Sequence, residues 1–197
     1  GASGLYGWHL YHEVEQRFSG RRWSIPSQIF SDASLLYTGM RIQEARKQCP
    51  AIIQRPARPE AYARVSTNIM RALEDISPDI EVFSVDEAFL DLTHCQKLHG
   101  TPARMGMMTK QRVFAASGLL CSVGISGDKT TAKFAAKLQK PNGLTIIPPW
   151  EARERLAREP TTALCGIADG IGTFLAQHGA YTCGDVGRLP VGERQAS

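Results

Sequence analysis

An acidic pair, Asp86 and Glu87, stands inside an apolar stretch and limits what this chain can fold into more than any other feature. The stretch covers residues 81–93, and its large apolar side chains are typical of a β-strand: Val82, Phe83, Val85, Phe89, Leu90 and Leu92. Acidic residues are depleted from strands. Neighbouring side chains on a regular strand point to opposite faces, whereas a hairpin bend would turn both carboxylates toward one rim.

The pair permits two interpretations. Carboxylates on a rigid sheet edge are hard oxygen ligands for Mg²⁺, which binds proteins through one or two acids and takes other ligands from water and substrate phosphates. Asp is also common in tight turns, so the pair fits an ordinary connection between two strands equally well. The stretch alone leaves both interpretations open.

The composition indicates a globular protein in a reducing compartment. With 197 residues, of which 43% are hydrophobic, the chain can form one core and a smaller appendage. A net charge of +4 weakly favours an anionic partner such as nucleic acid. The five cysteines are an odd number without a C-x-x-C pair, so we expect neither a disulfide framework nor a zinc site. We expect a cytoplasmic protein without a membrane span.

Hydrophobic spacing predicts a helix over residues 59–76, followed by the two acidic strands, a helix over 101–116 and a strand over 119–125. A helix over 128–138 and a strand over 143–147 come next. This order predicts an α+β fold of the ferredoxin-like type, with the helices on one face of a mostly antiparallel sheet. Shorter elements are expected elsewhere: a strand leading into a helix within 5–18, and helices over 41–48, 150–159 and 173–178.

Four lysines follow the strand that ends near residue 125. Lys129, Lys133, Lys137 and Lys140 lie along one side of the predicted helix or just past its end, and the helix begins at a Gly-Ser-Asp turn. A phosphate would find both amides and ammonium groups there. A solvated lysine face is the plainer interpretation.

Several motifs resemble the Y-family DNA polymerases, the DinB/UmuC-like translesion enzymes, over about residues 36 to 190. The most specific are Ser-Val-Asp-Glu-Ala-Phe-Leu-Asp-Leu at 84–92, Gly-Ile-Ser-Gly-Asp-Lys at 124–129 and Lys-Pro-Asn-Gly at 140–143. The resemblance implies a ferredoxin-like palm (residues 1–10 and 59–148), reduced fingers (11–58) and a small helical thumb with a helix-hairpin-helix (149–197).

The resemblance also implies a reaction and a set of site residues. Two Mg²⁺ ions would support nucleotide transfer from a dNTP to a primer 3′-hydroxyl, in a monomer that binds primer-template DNA and works beside repair or replication proteins. Asp86 and Glu87 would be the catalytic metal ligands, Lys140 would bind the triphosphate, and Tyr11 would lie near the incoming sugar. The expected DNA contacts are Lys129, Lys133, Gly166 and Ala168.

The sequence departs from the family pattern on its first strand. Matching the end of that strand to residues 14–15 places Tyr6 where an essential metal-binding Asp is expected, and neither Glu13 nor Glu15 falls at the matching place. Loss of one carboxylate would leave two metal ions poorly neutralised, so we expect impaired synthesis. The sequence also departs from the family pattern in the fingers, at Ile29 and Asp32, and in the thumb, at residues 168–169.

Two alternatives follow from these departures. In the first alternative, the chain is a catalytically inactive pseudo-polymerase that acts as a DNA-binding or scaffold module within a repair complex. The plainer alternative is a remnant that folds around the palm core without a function of its own.

Overall fold

The structure, a computed structural model, describes residues 7–14, 40–52, 58–163, 175–177 and 179–188. Its strands are β1 His9–Val14, β2 Ile80–Val82, β3 Glu87–Asp91, β4 Cys121–Ser126 and β5 Leu144–Ile146. Its helices are α1 Ile42–Gln48, α2 Pro59–Leu73, α3 Gln96–His99, α4 Pro102–Ser117, α5 Lys129–Leu138, α6 Ala152–Leu156 and α7 Cys183–Arg188, with a 3-10 turn at Thr161–Ala163.

The five described strands form one mixed sheet in the order β2-β3-β1-β4-β5. The pairs among β1 to β4 are antiparallel, and β5 lies parallel to β4 after the crossover through α5. Strands β1 to β4 with α2 and α4 follow the β-α-β-β-α-β order of ferredoxin-like folds. The predicted α+β class is therefore confirmed.

Helices cover both faces of this sheet, so the prediction of a single helical face is wrong. On one face, α2 and α4 pack against the strands in the main core, which includes Leu10, Ile69, Leu90 and Met105. On the other face, α5 covers a smaller cluster of Tyr11, Phe89, Ala132 and Ala136. The alanines leave room for the backbone of α5 to approach the sheet closely.

The ends of the helices agree with their sequence signals. The Thr101 hydroxyl accepts a hydrogen bond from the Arg104 amide at the start of α4, and Asp128 accepts one from the Thr131 amide at the start of α5. Gly118 ends α4 in the left-handed conformation, with φ 70°. The predicted helix over 59–76 ends at Leu73, and the one over 150–159 is limited to α6.

The C-terminal part is described only in pieces. The amide of Gly184 in α7 donates to the Ala157 carbonyl at 2.9 Å, and the Cys183 amide donates to Glu159 at 2.8 Å. The expected hairpin residues 166–168 lie outside the described residues, as do most of the reduced fingers and the helix expected after β1. The described cysteines, Cys49, Cys95, Cys121 and Cys183, form no disulfide. No helix in the described ranges is long and apolar enough to cross a bilayer.

We predict that Gly124→Ala destabilises the protein by about 2 to 4 kcal/mol, because α5 would have to move away from the sheet. A Cβ at this position would lie 2.0 Å from the Ala132 carbonyl oxygen and 2.4 Å from the Ala136 nitrogen. Urea unfolding measures the loss. The control is Gly118→Ala, which meets no atom within 4 Å and bears only the cost of its positive φ, about 1 kcal/mol. Equal losses in the two variants would contradict the packing explanation.

Candidate active site

The β2–β3 connection brings the acidic pair to one rim of the sheet. Asp86 is the last residue of the bend and Glu87 is the first residue of β3. The Ser84 hydroxyl lies 2.8 Å from Asp86 Oδ1 and 2.8 Å from Glu87 Oε2, so one hydroxyl reaches both carboxylates. The two interpretations of the pair are therefore compatible, since the turn is the device that places both acids on one edge.

Glu13 of β1 adds a third carboxylate at this edge. It lies directly across from Glu87 in the antiparallel β1–β3 pairing, and the Tyr11 hydroxyl lies 3.3 Å from Glu13 Oε2 while donating to Glu87 Oε1. The next amide, of Val14, donates to the Asp86 carbonyl at 2.9 Å. One phenolic oxygen thus contacts acids from two neighbouring strands.

The position of Glu13 corrects the sequence analysis, which set it aside. The alignment put Tyr6 at the expected ligand position, but β1 is paired so that Glu13 faces the acidic pair; Tyr6 and Glu15 lie outside the described residues. The two-residue spacing of Tyr11 and Glu13 is the feature of the sequence that indicates the position of Glu13. Because residues two apart share a strand face, that spacing places a carboxylate beside a buried aromatic ring.

Two lysines partly neutralise the three acids. Lys140 Nζ pairs with Glu13 Oε2, and Lys133 Nζ lies 3.3 Å from Glu87 Oε1. Lys133 also lies over the Phe83 ring, 4.2 Å from its centroid. Like charges directly opposite each other on a sheet are destabilising, so these ammonium groups stabilise an otherwise unfavourable Glu–Glu pair.

The other predicted site residues are distributed differently. The Lys133 side chain is 16% exposed and is part of the acidic edge, and its predicted DNA contact stays a prediction. Lys129 pairs with Glu81 of β2. Gly166 and Ala168 lie outside the described residues.

Tyr11 holds the carboxylates from below the edge. Its side chain is fully buried, and its ring packs on Phe89 with centroids 5.1 Å apart. The ring is buried in this structure, and the predicted place of Tyr11 near the incoming sugar stays a prediction. Burial, followed by the hydrogen bond to Glu87, raises the pKa of Tyr11 above its usual value, so the hydroxyl remains a neutral donor at physiological pH.

Hydrogen bonds and a nearby ammonium group keep Glu87 ionised. Burial alone raises the pKa of Glu87, but hydrogen bonds from Tyr11 and Ser84 and the charge of Lys133 hold it below its usual value. His12, between Tyr11 and Glu13 in sequence, is completely buried, and burial lowers its pKa to about 4. It is therefore neutral at pH 7.

The donor chemistry of the edge fits Mg²⁺, although no described group of three His, Cys, Asp or Glu side chains forms a ready-made metal cage. Mg²⁺ does not need such a cage, because it completes its octahedral shell with water and substrate phosphates. Glu13, Asp86 and Glu87 supply only oxygen ligands, which suit this ion. The residues thus fit a metal site that is shared with a phosphate-bearing substrate.

We predict that Tyr11→Phe raises the pKa of Glu87 toward its usual value, because one donor to the ionised carboxylate is lost. A depressed folded-state pKa stabilises the protein above the unfolded pKa, and that contribution is lost as the pH falls through the folded value. The variant should therefore lose less stability than the wild type between about pH 6 and about pH 3. Carbon NMR titration of the Glu87 carboxyl measures the shift.

The control for this substitution is Tyr62→Phe, which removes a hydroxyl from a tyrosine of α2 that is 44% exposed. It should leave the Glu87 titration unchanged. A Glu87 pKa that is the same in Tyr11→Phe and in the wild type would contradict the assigned role of the Tyr11 hydroxyl.

The fold belongs to a known class. Residues 36–137 match the impB/mucB/samB family, so the chain is a member of that family, the Y-family first indicated by its motifs. DNA polymerase IV of Moorella thermoacetica is 38% identical over 154 residues, which are 78% of this chain and 38% of that protein. DNA polymerase IV of Methanoculleus marisnigri is 37% identical over 158 residues, covering 80% of this chain and 44% of that protein.

Solved structures share this fold. A DinB family error-prone DNA polymerase from Sulfolobus solfataricus has 26% identity and a TM-score of 0.76, covering 94% of this chain and 60% of that one. The insertion ternary complex of Dbh DNA polymerase has a TM-score of 0.78 at 24% identity, covering 94% of this chain and 62% of that one. The chain spans about two fifths of the length of the two curated relatives.

Proposed function

We propose that this chain carries the nucleotidyl-transfer site of a Y-family translesion DNA polymerase, which adds a nucleotide from a dNTP to a primer 3′-hydroxyl. The observation that carries the proposal is the meeting of Glu13, Asp86 and Glu87 on one rim of the sheet, with Lys140 beside them. Family membership supports it.

Magnesium ions bound at this edge would neutralise the charge that develops on the attacking and leaving oxygens. Asp86 and Glu87 stand at the centre of the rim and would be the principal ligands, as the sequence predicted. Glu13 would provide the first-strand carboxylate. The hydroxyls of Ser84 and Tyr11 orient these carboxylates before a ligand arrives, which lowers the reorganisation needed on binding.

The lysines would bind and orient the triphosphate. Lys140 pairs with Glu13 in the described structure, and a triphosphate is a stronger partner for an ammonium than one carboxylate. Lys140 would leave Glu13 for the phosphates, and Glu13 would then be one of the residues that hold Mg²⁺. Lys133 is held by Glu87 and the Phe83 ring, so it would balance charge within the site.

We further propose the domain plan of the family. Residues 1–10 and 59–148 would form the palm, residues 11–58 reduced fingers, and residues 149–197 a thumb whose helix-hairpin-helix holds the DNA backbone. Gly166 and Ala168 would provide the backbone amides for that grip, and Lys129 would add a positive charge near the template. Primer-template DNA, dNTP and repair proteins would be the partners of a cytoplasmic monomer.

The expectation of impaired synthesis changes with Glu13. It rested on the lack of a carboxylate at the expected position of the first strand. The pairing of Glu13 with Glu87 supports Glu13 as the first-strand ligand, with a side chain one methylene longer than that of Asp. We therefore propose catalysis in preference to the inactive scaffold. We still expect reduced turnover, because the longer side chain shifts the carboxylate and small misplacements of catalytic groups lower rates.

Primer extension with Mg²⁺ tests this function. We expect Asp86→Asn and Glu87→Gln to lower single-nucleotide incorporation by about a thousandfold or more, and Glu13→Gln by about a hundredfold, because each removes a negative oxygen ligand. The matched control is Glu60→Gln on the exposed start of α2, which should incorporate like the wild type.

The outcomes separate the candidates. Wild-type incorporation that is unaffected by Asp86→Asn would contradict the proposed site. Absence of incorporation together with salt-dependent DNA binding that survives Asp86→Asn would favour the scaffold alternative. A chain without either activity would fit the remnant.

A further inference from the structure

A lysine of α4, on the opposite face of the sheet from α5, anchors the turn that follows Lys140. Lys110 Nζ donates to the Cys121 carbonyl at 2.8 Å, to the Asn142 carbonyl at 2.8 Å and to Asn142 Oδ1 at 2.7 Å; the Gly143 carbonyl lies at 3.3 Å. One ammonium thus connects the start of β4 with the turn over residues 140–143. An ammonium has three N–H donors, so these acceptors use its full capacity.

The turn itself has a demanding backbone. Asn142 has a φ of 56°, in the left-handed region that few side chains other than Asn adopt readily. A Cβ on Gly143 would lie 2.2 Å from the Gln139 carbonyl oxygen, so the chain passes close behind the end of α5. The Gly143 carbonyl also accepts from the Val123 amide at 3.0 Å. Such a backbone needs external support to keep one shape.

We propose that Lys110 is a positioning residue for Lys140. The proposal rests on the proposed function, because it concerns how Lys140 is aimed at the triphosphate. Lys140 stands between the last turn of α5 and the anchored residues 142–143, so its backbone is fixed at both ends. The contacts of the Lys110 ammonium hold the backbone of Lys140 in one position, from which its side chain reaches Glu13.

A purely structural role makes a different prediction. If Lys110 only stabilised the core, its loss would lower the melting temperature while the remaining folded molecules kept the Lys140 turn ordered. A positioning role requires that the turn lose order in the folded protein and that nucleotide binding weaken through Lys140 alone. These effects can be measured separately.

The experiment compares Lys110→Met, which keeps the aliphatic stem and removes the ammonium, with the wild type. The first measurement is the set of ¹⁵N order parameters of Lys140, Asn142 and Gly143. We expect them to fall from about 0.85 to below about 0.6 in the variant. Lys97→Met, which makes the same change at an exposed site on α3, should leave them unchanged.

The second measurement is the dissociation constant of a dNTP analogue with a methylene group between the α and β phosphorus atoms, which cannot transfer its nucleotide. We expect Lys110→Met and Lys140→Met each to weaken binding about tenfold. The double variant should bind no more weakly than Lys140→Met alone, because both changes remove the same interaction.

Unchanged order parameters in folded Lys110→Met would overturn the proposal, and so would additive losses of affinity in the double variant. If Lys110→Met does not fold, Asn142→Gly replaces it, since glycine tolerates the positive φ and only the 2.7 Å acceptor is lost; it should lower the same order parameters. A wild-type chain that does not bind the analogue would refute the proposed function, while the order parameters would still decide whether Lys110 holds Lys140.

Discussion

The register between β1 and β3 is the constraint on which the site depends. Glu13 faces Glu87 only because Tyr11 pairs with Phe89 and the intervening His12 points to the opposite face. A slip of one residue would exchange the two faces, removing Glu13 from the rim and placing an acid toward the main core. Burial of Leu10 on one face and of Tyr11 on the other opposes that slip, so the hydrophobic core and the acidic edge are specified together.

The acidic edge breaks the usual rules of strand composition, and its neighbours compensate for the cost. Two glutamates lie directly opposite each other, a destabilising arrangement on an ordinary sheet. Lys133 and Lys140, both from the α5 region, bring compensating charge, and α5 can reach the sheet because Gly124 has no Cβ. The neutralisation of the acids therefore depends on the close packing of α5 against the sheet. Proteins accept such local violations mainly where a function requires them.

Sequence reasoning located the elements and the acidic pair but not the third acid. Helix caps, apolar spacing and turn residues act locally, so α4 and α5 and the β2–β3 bend were predictable from short segments. The place of Glu13 depends on pairing between strands about seventy residues apart, which no local pattern encodes. The same limit explains why the second helical face and the contacts of Lys110 were missed. Both arise from the crossover through α5, whose handedness and packing are properties of the whole sheet.

The most direct test of the acidic edge is a titration of the labelled protein with Mn²⁺, which prefers the same oxygen ligands as Mg²⁺ and broadens nearby NMR signals. We predict selective broadening of the amides around Glu13 and around residues 86–87, reversal by excess Mg²⁺, and loss of the effect in Asp86→Asn. Broadening that spares Glu13, or that centres on the acids Asp75 and Asp79 between α2 and β2, would contradict the proposal that the three carboxylates form one metal-binding edge.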